Sequence, residues 1–340
     1  MSTAVGAPGW EVARAGFLES RRAAGCTPKT TAYYADALAL LERFGRERGM
    51  DGPAALSPAD VRAFCVWLQD GKHGGRGPLR PASVRTHMRA AKAFLRFAHG
   101  EGWLPQAVPV PIPRVTEEAP PTLEPAEVEA LLATARGGGF SARRDRAFLR
   151  LLLDTGCRLG EALALRPEDV DLATCTARVN GKKRQPRQVA FSRPTGQELL
   201  GYTEARRRLL QQKGWPDPGP IFLGDHGGPW PSRVAQRMLA RRGVFAGVDR
   251  RKCHPHAFRH TFARAFLAGG GSGAVLQEVL GHHSYDMTRR YLRSFGAEAA
   301  DLARPYLPGH ALGSTSWHRV QTEAAGEGTR APSRAGGARP

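Results

Sequence analysis

Between Trp10 and Gly100 the apolar residues recur at helical spacing in four blocks, separated by polar or glycine-rich stretches. The first block, Trp10 to Ala23, carries Val12, Phe17 and Leu18. The second opens on Thr27-Pro28, a capping hydroxyl followed by the proline that suits a first helical position, and carries Tyr34, Leu38, Leu41 and Phe44. Ser57-Pro58-Ala59-Asp60 repeats that start signal, with an acid at the third position, ahead of Val61, Phe64, Val66 and Leu68. After the glycine-rich loop 71–77 a fourth helix is predicted from Pro81 to His99, with Gly100 as its cap. On it Val84, Met88, Ala91 and Leu95 form an apolar stripe, and Arg85, Arg89, Lys92 and Arg96 share an adjacent face. Charged stripes are ordinarily solvated. Here no acid lies between Asp70 and Glu101, so four uncompensated cations point to phosphate contact.

A proline-rich, semi-extended linker over 106–121 then separates an N-terminal helical domain, 1–105, from a second domain, 122–308. That domain opens with helices near 125–135 and 143–154. Gly156 ends the second of these, and Arg158 opens the next with Ala162 and Leu165 inward. Thr174–Val179 and Gln188–Phe191 read as a β-hairpin whose tip, Gly181-Lys182-Lys183-Arg184, is basic. Helices are predicted again over 196–212 and 231–242, with a short extended piece at Ile221–Leu223. Residues 309–340 are polar and weakly patterned, a disordered tail. The fold class expected is mainly α with a small β-hairpin or sheet in the second domain.

Composition changes this picture in one respect. The net charge of +19 is shared by both domains: residues 1–105 carry 15 Lys/Arg against 9 Asp/Glu, and residues 106–305 carry 31 against 20. GC-rich coding explains arginine in place of lysine but not the surplus over acids, so a polyanion, DNA or RNA, is the partner to expect. The five scattered cysteines form no C-x-x-C pair and suit a reducing cytoplasm. No apolar run follows a basic start in residues 1–20, and no stretch has the length of a membrane span, so neither a signal peptide nor membrane insertion is expected.

The chemistry-bearing residues concentrate from His254 to Tyr291: a His-x-x-Arg pair (His256, Arg259), Leu-Gly-His ending at His282, and Tyr291 nine residues later. Arginine and histidine are groups to place around a phosphate, and a tyrosyl ester conserves its bond energy. TGCRLGEALAL around Arg158, Gly-Lys in the hairpin 24 residues on, HAFRH, LGH and Tyr291 together resemble the tyrosine recombinase (phage integrase) family. The resemblance spans the second domain, and TPKTTAYYADAL and LRPASVRTHMRAAKAFLRFAHGEGWL extend it to that family's helical core-binding domain. Within the family the chain looks like the simple two-domain type that includes dimer-resolving and integron-like recombinases.

The resemblance implies a C-shaped clamp on DNA and a role for each matching residue. Arg158 and Arg259 would grip the non-bridging oxygens of the scissile phosphate, through forked contacts that lysine cannot copy. Tyr291 would attack phosphorus to give a 3′-phosphotyrosyl bond. With an ordinary pKa of about 10 it needs a base, and His256 is the candidate. Lys182 would protonate the departing 5′-oxygen, His282 would hydrogen-bond the phosphate, Glu161 would orient Arg158, and His260 would be a buried structural histidine. Lys183 and Arg184 would contact DNA. No cofactor is implied. Cys253, His256 and His260 lack a fourth ligand, so no metal site is expected. His283 and Tyr285 compete with His282 and Tyr291, but the spacing favours the latter pair.

The implied partners are a double-stranded recombination site and a homo- or hetero-tetramer spanning two such sites, with strand exchange through a Holliday junction. Two other readings share the motifs: a type IB topoisomerase-like enzyme, against which the core-binding resemblance and His282 argue, and a silent DNA-binding accessory protein, against which the complete residue set argues. The target sequence, the choice between integration or excision and dimer resolution, the need for a partner recombinase, and docking of the segment after Tyr291 on a neighbouring protomer are not written in the chain. The lack of a further domain before Trp10 favours a simple recombinase over a large phage integrase.

Overall fold

The computed structural model describes residues 7–72, 74, 77–115, 119–181 and 186–281. The chain divides into two compact units, Met1–Glu118 and Ala119–Pro340.

The first unit is built on α1 (Trp10–Ala23), α2 (Pro28–Glu47), α3 (Pro58–Gln69) and α4 (Pro81–Gly100). Their starts are chemically marked. The Thr27 hydroxyl accepts from the Thr30 N–H, and Ser57 and Asp60 form a reciprocal capping box. Phe17, Leu41, Phe44, Phe64, Met88 and Phe94 fill the core, with Phe17 edge-on to Phe94 at 5.6 Å between centroids. Two apolar residues expected to face inward do not: Val12 is 65% and Val66 is 50% exposed. Each stands two positions from an inward residue, Trp10 and Phe64, and helix neighbours two apart point away from one another. Gly100 is still helical. The left-handed turn that follows α4 falls at Gly102, φ +76°.

The second unit contains α5 (Pro125–Thr134), α6 (Phe140–Thr155), α7 (Leu159–Ala164), an antiparallel sheet of β1 (Val170–Asp171), β2 (Thr176–Val179) and β3 (Arg187–Ala190), then α8 (Arg193–Lys213), α9 (Ser232–Phe245), α10 (Pro255–Ala268) and α11 (Gly273–Leu280). The fold is mainly α with a small three-stranded sheet. β2 pairs with β3 in the register Ala177↔Val189 and Val179↔Arg187. β1, only two residues long, is too short to display an alternating pattern, and it extends the expected hairpin by one strand. α6 starts at Phe140, earlier than its apolar periodicity, because its first turn carries Ser141, Ala142 and Arg143. Ile221–Leu223 forms an isolated bridge, Leu223 to Pro229, in place of a strand. The core gathers Phe148, Phe222 and Trp230 from α6 and the loop before α9, with Tyr202 of α8 stacked on Phe222. Among the described residues no helix is long and apolar enough to cross a membrane.

Candidate active site

The site is assembled where α6, α7, β3, α10 and α11 meet. α6 ends on Gly156, φ +56°, a left-handed position that glycine takes without strain. A Cβ there would stand 2.4 Å from a ring carbon of Phe262 and 3.0 Å from a Leu280 methyl, so α10 and α11 approach to a distance only glycine permits. The Gly156 carbonyl accepts from Arg259 Nη1 at 2.8 Å.

Arg158 is the N-cap of α7. Its backbone N–H donates to Glu161 Oε2 at 2.9 Å, and its Nη1 donates to Glu161 Oε1 at 2.9 Å. The carboxylate thus satisfies an orphan donor of the first turn and holds the side chain that precedes it.

α11 ends at Leu280, with Gly281 in the left-handed conformation. The last carbonyls of a helix lack intrahelical partners and carry the negative end of its dipole. Arginines from three elements occupy that end. Arg187 Nε donates to Val279 O at 2.7 Å and Arg259 Nη2 to Leu280 O at 2.8 Å, while Arg158 reaches Leu280 O at 3.4 Å and Gly281 O at 3.3 Å. Arg187 also grips Glu161 with two parallel bonds, Nη1 to Oε1 at 3.2 Å and Nη2 to Oε2 at 2.8 Å. Burial alone would raise the Glu161 carboxyl. Hydrogen bonds from the Arg187 side chain and the Arg158 backbone overcome that and bring it down to about 2. With one carboxylate among three guanidinium groups the cluster is net positive. Its side chains differ in access: Glu161 is 5%, Arg187 13% and Arg158 30% exposed, so Arg158 is the most accessible of the three.

α10 supplies the histidines. His254 caps it, Nδ1 accepting from the Ala257 N–H, and His256 follows in the first turn, its ring 6.4 Å from those of His254 and His260. Burial, then His254 and the positive charges of Arg259 and Arg158, lower the His256 pKa and favour the neutral ring that can accept a proton. His260 is half-buried, less enclosed than expected. The Cys253 thiol is turned to the carbonyls of Val248 and Asp249.

Arg158, Glu161, His256 and Arg259 are therefore brought together. Lys182, Lys183, Arg184, His282 and Tyr291, with the rivals His283 and Tyr285 and the tail 309–340, lie outside the described residues. Tyr202 is no rival: its hydroxyl donates to Ile221 O and accepts from Leu223 N–H in the core, and burial raises it to about 12. On α4, Arg89, Lys92 and Arg96 are exposed and make no ion pair with the described residues, while Arg85 is half-buried. Arg187 was not singled out from the sequence. One signal was legible: it stands two residues before buried Val189, on the inward face of β3, where a charged side chain needs a partner.

The sequence matches the Phage integrase family over residues 121–298. It is 30% identical to a tyrosine recombinase XerC of Oceanobacillus iheyensis, covering 78% of this chain and 85% of the relative. It is 33% identical to a tyrosine recombinase XerD of Mycobacterium tuberculosis, covering 78% and 88%. Among solved structures the fold matches a XerH site-specific recombinase bound to a palindromic difH substrate, with TM-score 0.67 and 18% identity over 84% of this chain and 83% of that one. It also matches a lambda integrase dimer bound to a core site, with TM-score 0.62 and 16% identity over 83% and 94%.

Proposed function

The chain belongs to the phage integrase family of tyrosine recombinases, and from that premise we propose that it cuts and rejoins DNA at a specific site with Tyr291 as the nucleophile. The Tyr291 phenolic oxygen attacks the scissile phosphorus as its proton passes to neutral His256. A P–O bond forms to the tyrosine, the P–O5′ bond breaks, and Lys182 gives the leaving 5′-oxygen its proton. Arg158 and Arg259, with His282, bind the non-bridging oxygens, where charge grows in the transition state. The ester keeps the energy of the broken bond. A 5′-hydroxyl from a second duplex then reverses the step and completes strand transfer through a Holliday junction, so no nucleotide is needed to reseal the strand.

One observation carries the reading: Arg158 and Arg259 converge at the carboxyl end of α11, directly before His282 in the chain. Recombinase relatives along most of the chain favour strand exchange over topoisomerase-like strand passage or silent binding. Recombination joins two duplexes, so a tetramer over two sites is the assembly we propose, with Lys183, Arg184 and the α4 ridge on DNA. A reducing cytoplasm suits the buried free thiols of Cys65, Cys157 and Cys253.

Covalent trapping tests this. Wild type and Tyr291→Phe are incubated with labelled duplexes tiled from the DNA flanking the gene, nicked near candidate cleavage points, and denatured in detergent. A shifted protein–DNA band that vanishes in the variant is the expected result. The same band from Tyr291→Phe would sink the assignment.

A further inference from the structure

The family resemblance gives Arg187 no role, yet its side chain makes three hydrogen bonds within the site. Its fork clasps both oxygens of Glu161, and its Nε holds Val279 O, so one side chain ties β3, α7 and α11 together. Its Nε, Nη1 and Nη2 are all engaged by Val279 and Glu161, which suits action through neighbours rather than on DNA directly. The charge balance explains what that action is. Glu161 also binds Arg158 through side chain and backbone. If Glu161 had Arg158 alone, the pair would be neutral, and its partly exposed guanidinium would offer a phosphate little net attraction. Arg187 supplies the second positive charge that satisfies the carboxylate and leaves Arg158 in surplus.

We infer that Arg187 is a positioning residue for strand cleavage: it neutralises Glu161 and anchors it to the end of α11, so that Arg158 presents an uncompensated charge to the scissile phosphate. This rests on the phosphotyrosyl reading above. It also joins the hairpin to the site, because the segment carrying Lys182 runs directly into β3 at Arg187.

The test compares the full-length wild type, Arg187→Gln, Arg187→Lys and Tyr291→Phe in single-turnover cleavage of the duplex that wild type cuts, with DNA affinity and thermal melting measured alongside. Two substrates are used: the natural phosphate, and a methylphosphonate in which a methyl group replaces one non-bridging oxygen and removes the charge. Arg187→Gln is expected to bind within about threefold of wild type and to cleave the phosphate about 100-fold more slowly. On the neutral methylphosphonate the loss shrinks to about tenfold or less, because Arg158 no longer has a full charge to meet. Arg187→Lys, which keeps the charge without the fork, recovers part of the rate. A residue that only holds the fold together predicts equal losses on both substrates and no rescue by lysine; that outcome overturns the inference, as does wild-type cleavage by Arg187→Gln. If Arg187→Gln melts below the assay temperature, Arg187→Lys decides by the same comparison of substrates. Absence of a Tyr291-dependent adduct with wild type overturns the phosphotyrosyl reading and this inference with it, whereas a normal wild-type adduct with an unaffected Arg187 variant overturns the inference alone.

Discussion

Arg158 and Arg259 donate to one backbone oxygen, that of Leu280, at 3.4 and 2.8 Å. One arginine caps α7 and the other lies within α10, so the shared acceptor brings two distant parts of the chain into register. The oxygen is a last carbonyl of α11, already at the negative end of a helix dipole. Two guanidinium groups held on one such oxygen stand close enough together to serve one oxyanion.

Arg158→Lys and Arg259→Lys are therefore expected to cleave about 10²–10³-fold more slowly. An ammonium group cannot hold a carbonyl and a phosphate oxygen with one rigid fork. Because the two arginines share an acceptor, the double variant loses less than the product of the single losses. Single-turnover trapping at saturating DNA checks this; full activity of either variant would remove the residue from the phosphate site.

Gly156 marks the tightest point of the same junction. Gly156→Ala places a side chain at a left-handed backbone position and against the Phe262 ring. The strain and overpacking together predict a loss of roughly 2–5 kcal/mol. Thermal or denaturant unfolding of the variant measures it, and a melting curve that overlays wild type would mean that α10 yields freely.

These contacts show how much the sequence could disclose. The helices of the first unit were readable because Thr27, Ser57 and three prolines mark where they start, and because the apolar residues keep helical spacing. Arg158, His256 and Arg259 were readable from motif spacing. Arg187 was not, because its partners Glu161 and Val279 lie 26 and 92 positions away in the chain, and one more arginine in an arginine-rich protein carries no local mark. Val12 and Val66 misled for the converse reason: an apolar residue is free to sit on a solvated helix face.

The histidine in the first turn of α10 sets a pH dependence. Burial and the nearby cations lower the His256 pKa, so its neutral form persists below the ordinary value of about 6.5. The cleavage rate is expected to hold level across neutrality and to fall only at pH values below that figure, as the ring gains a proton. His256→Asn should lower the rate and abolish that fall. A pH profile of single-turnover cleavage decides it; an unchanged acid limb in the variant would transfer the base role to another group.

Glu161 sets a dependence of stability on pH. Its carboxyl is held at about 2 in the fold against an ordinary 4.5. A depressed carboxylate stabilises above its unfolded pKa, and that contribution is lost as pH falls through the folded one. Between about pH 4.5 and 2 wild type should therefore lose roughly 3 kcal/mol that Glu161→Gln never had. Unfolding curves of both proteins at a series of acid pH values give the difference, and parallel curves would mean that the arginines do not discriminate the ionised form.

The α4 ridge separates binding from chemistry. Arg89, Lys92 and Arg96 recur three and four residues apart, are exposed, and have no ion-pair partner among the described residues, while Arg85 on the same face is half-buried. Cations that contact phosphates release counterions on binding, and each contact contributes about 0.9 to the slope of log affinity against log salt. Replacing all three by glutamine should flatten that slope by about 2.7 and weaken binding at low salt. The rate of cleavage once DNA is saturating should not change, because these residues lie in the first unit and the reacting groups in the second. Affinity titrations of wild type and the triple variant across a salt series measure the slope. Equal slopes would make the ridge an ordinary solvated face, and a fall in the saturated rate would mean that it takes part in more than binding.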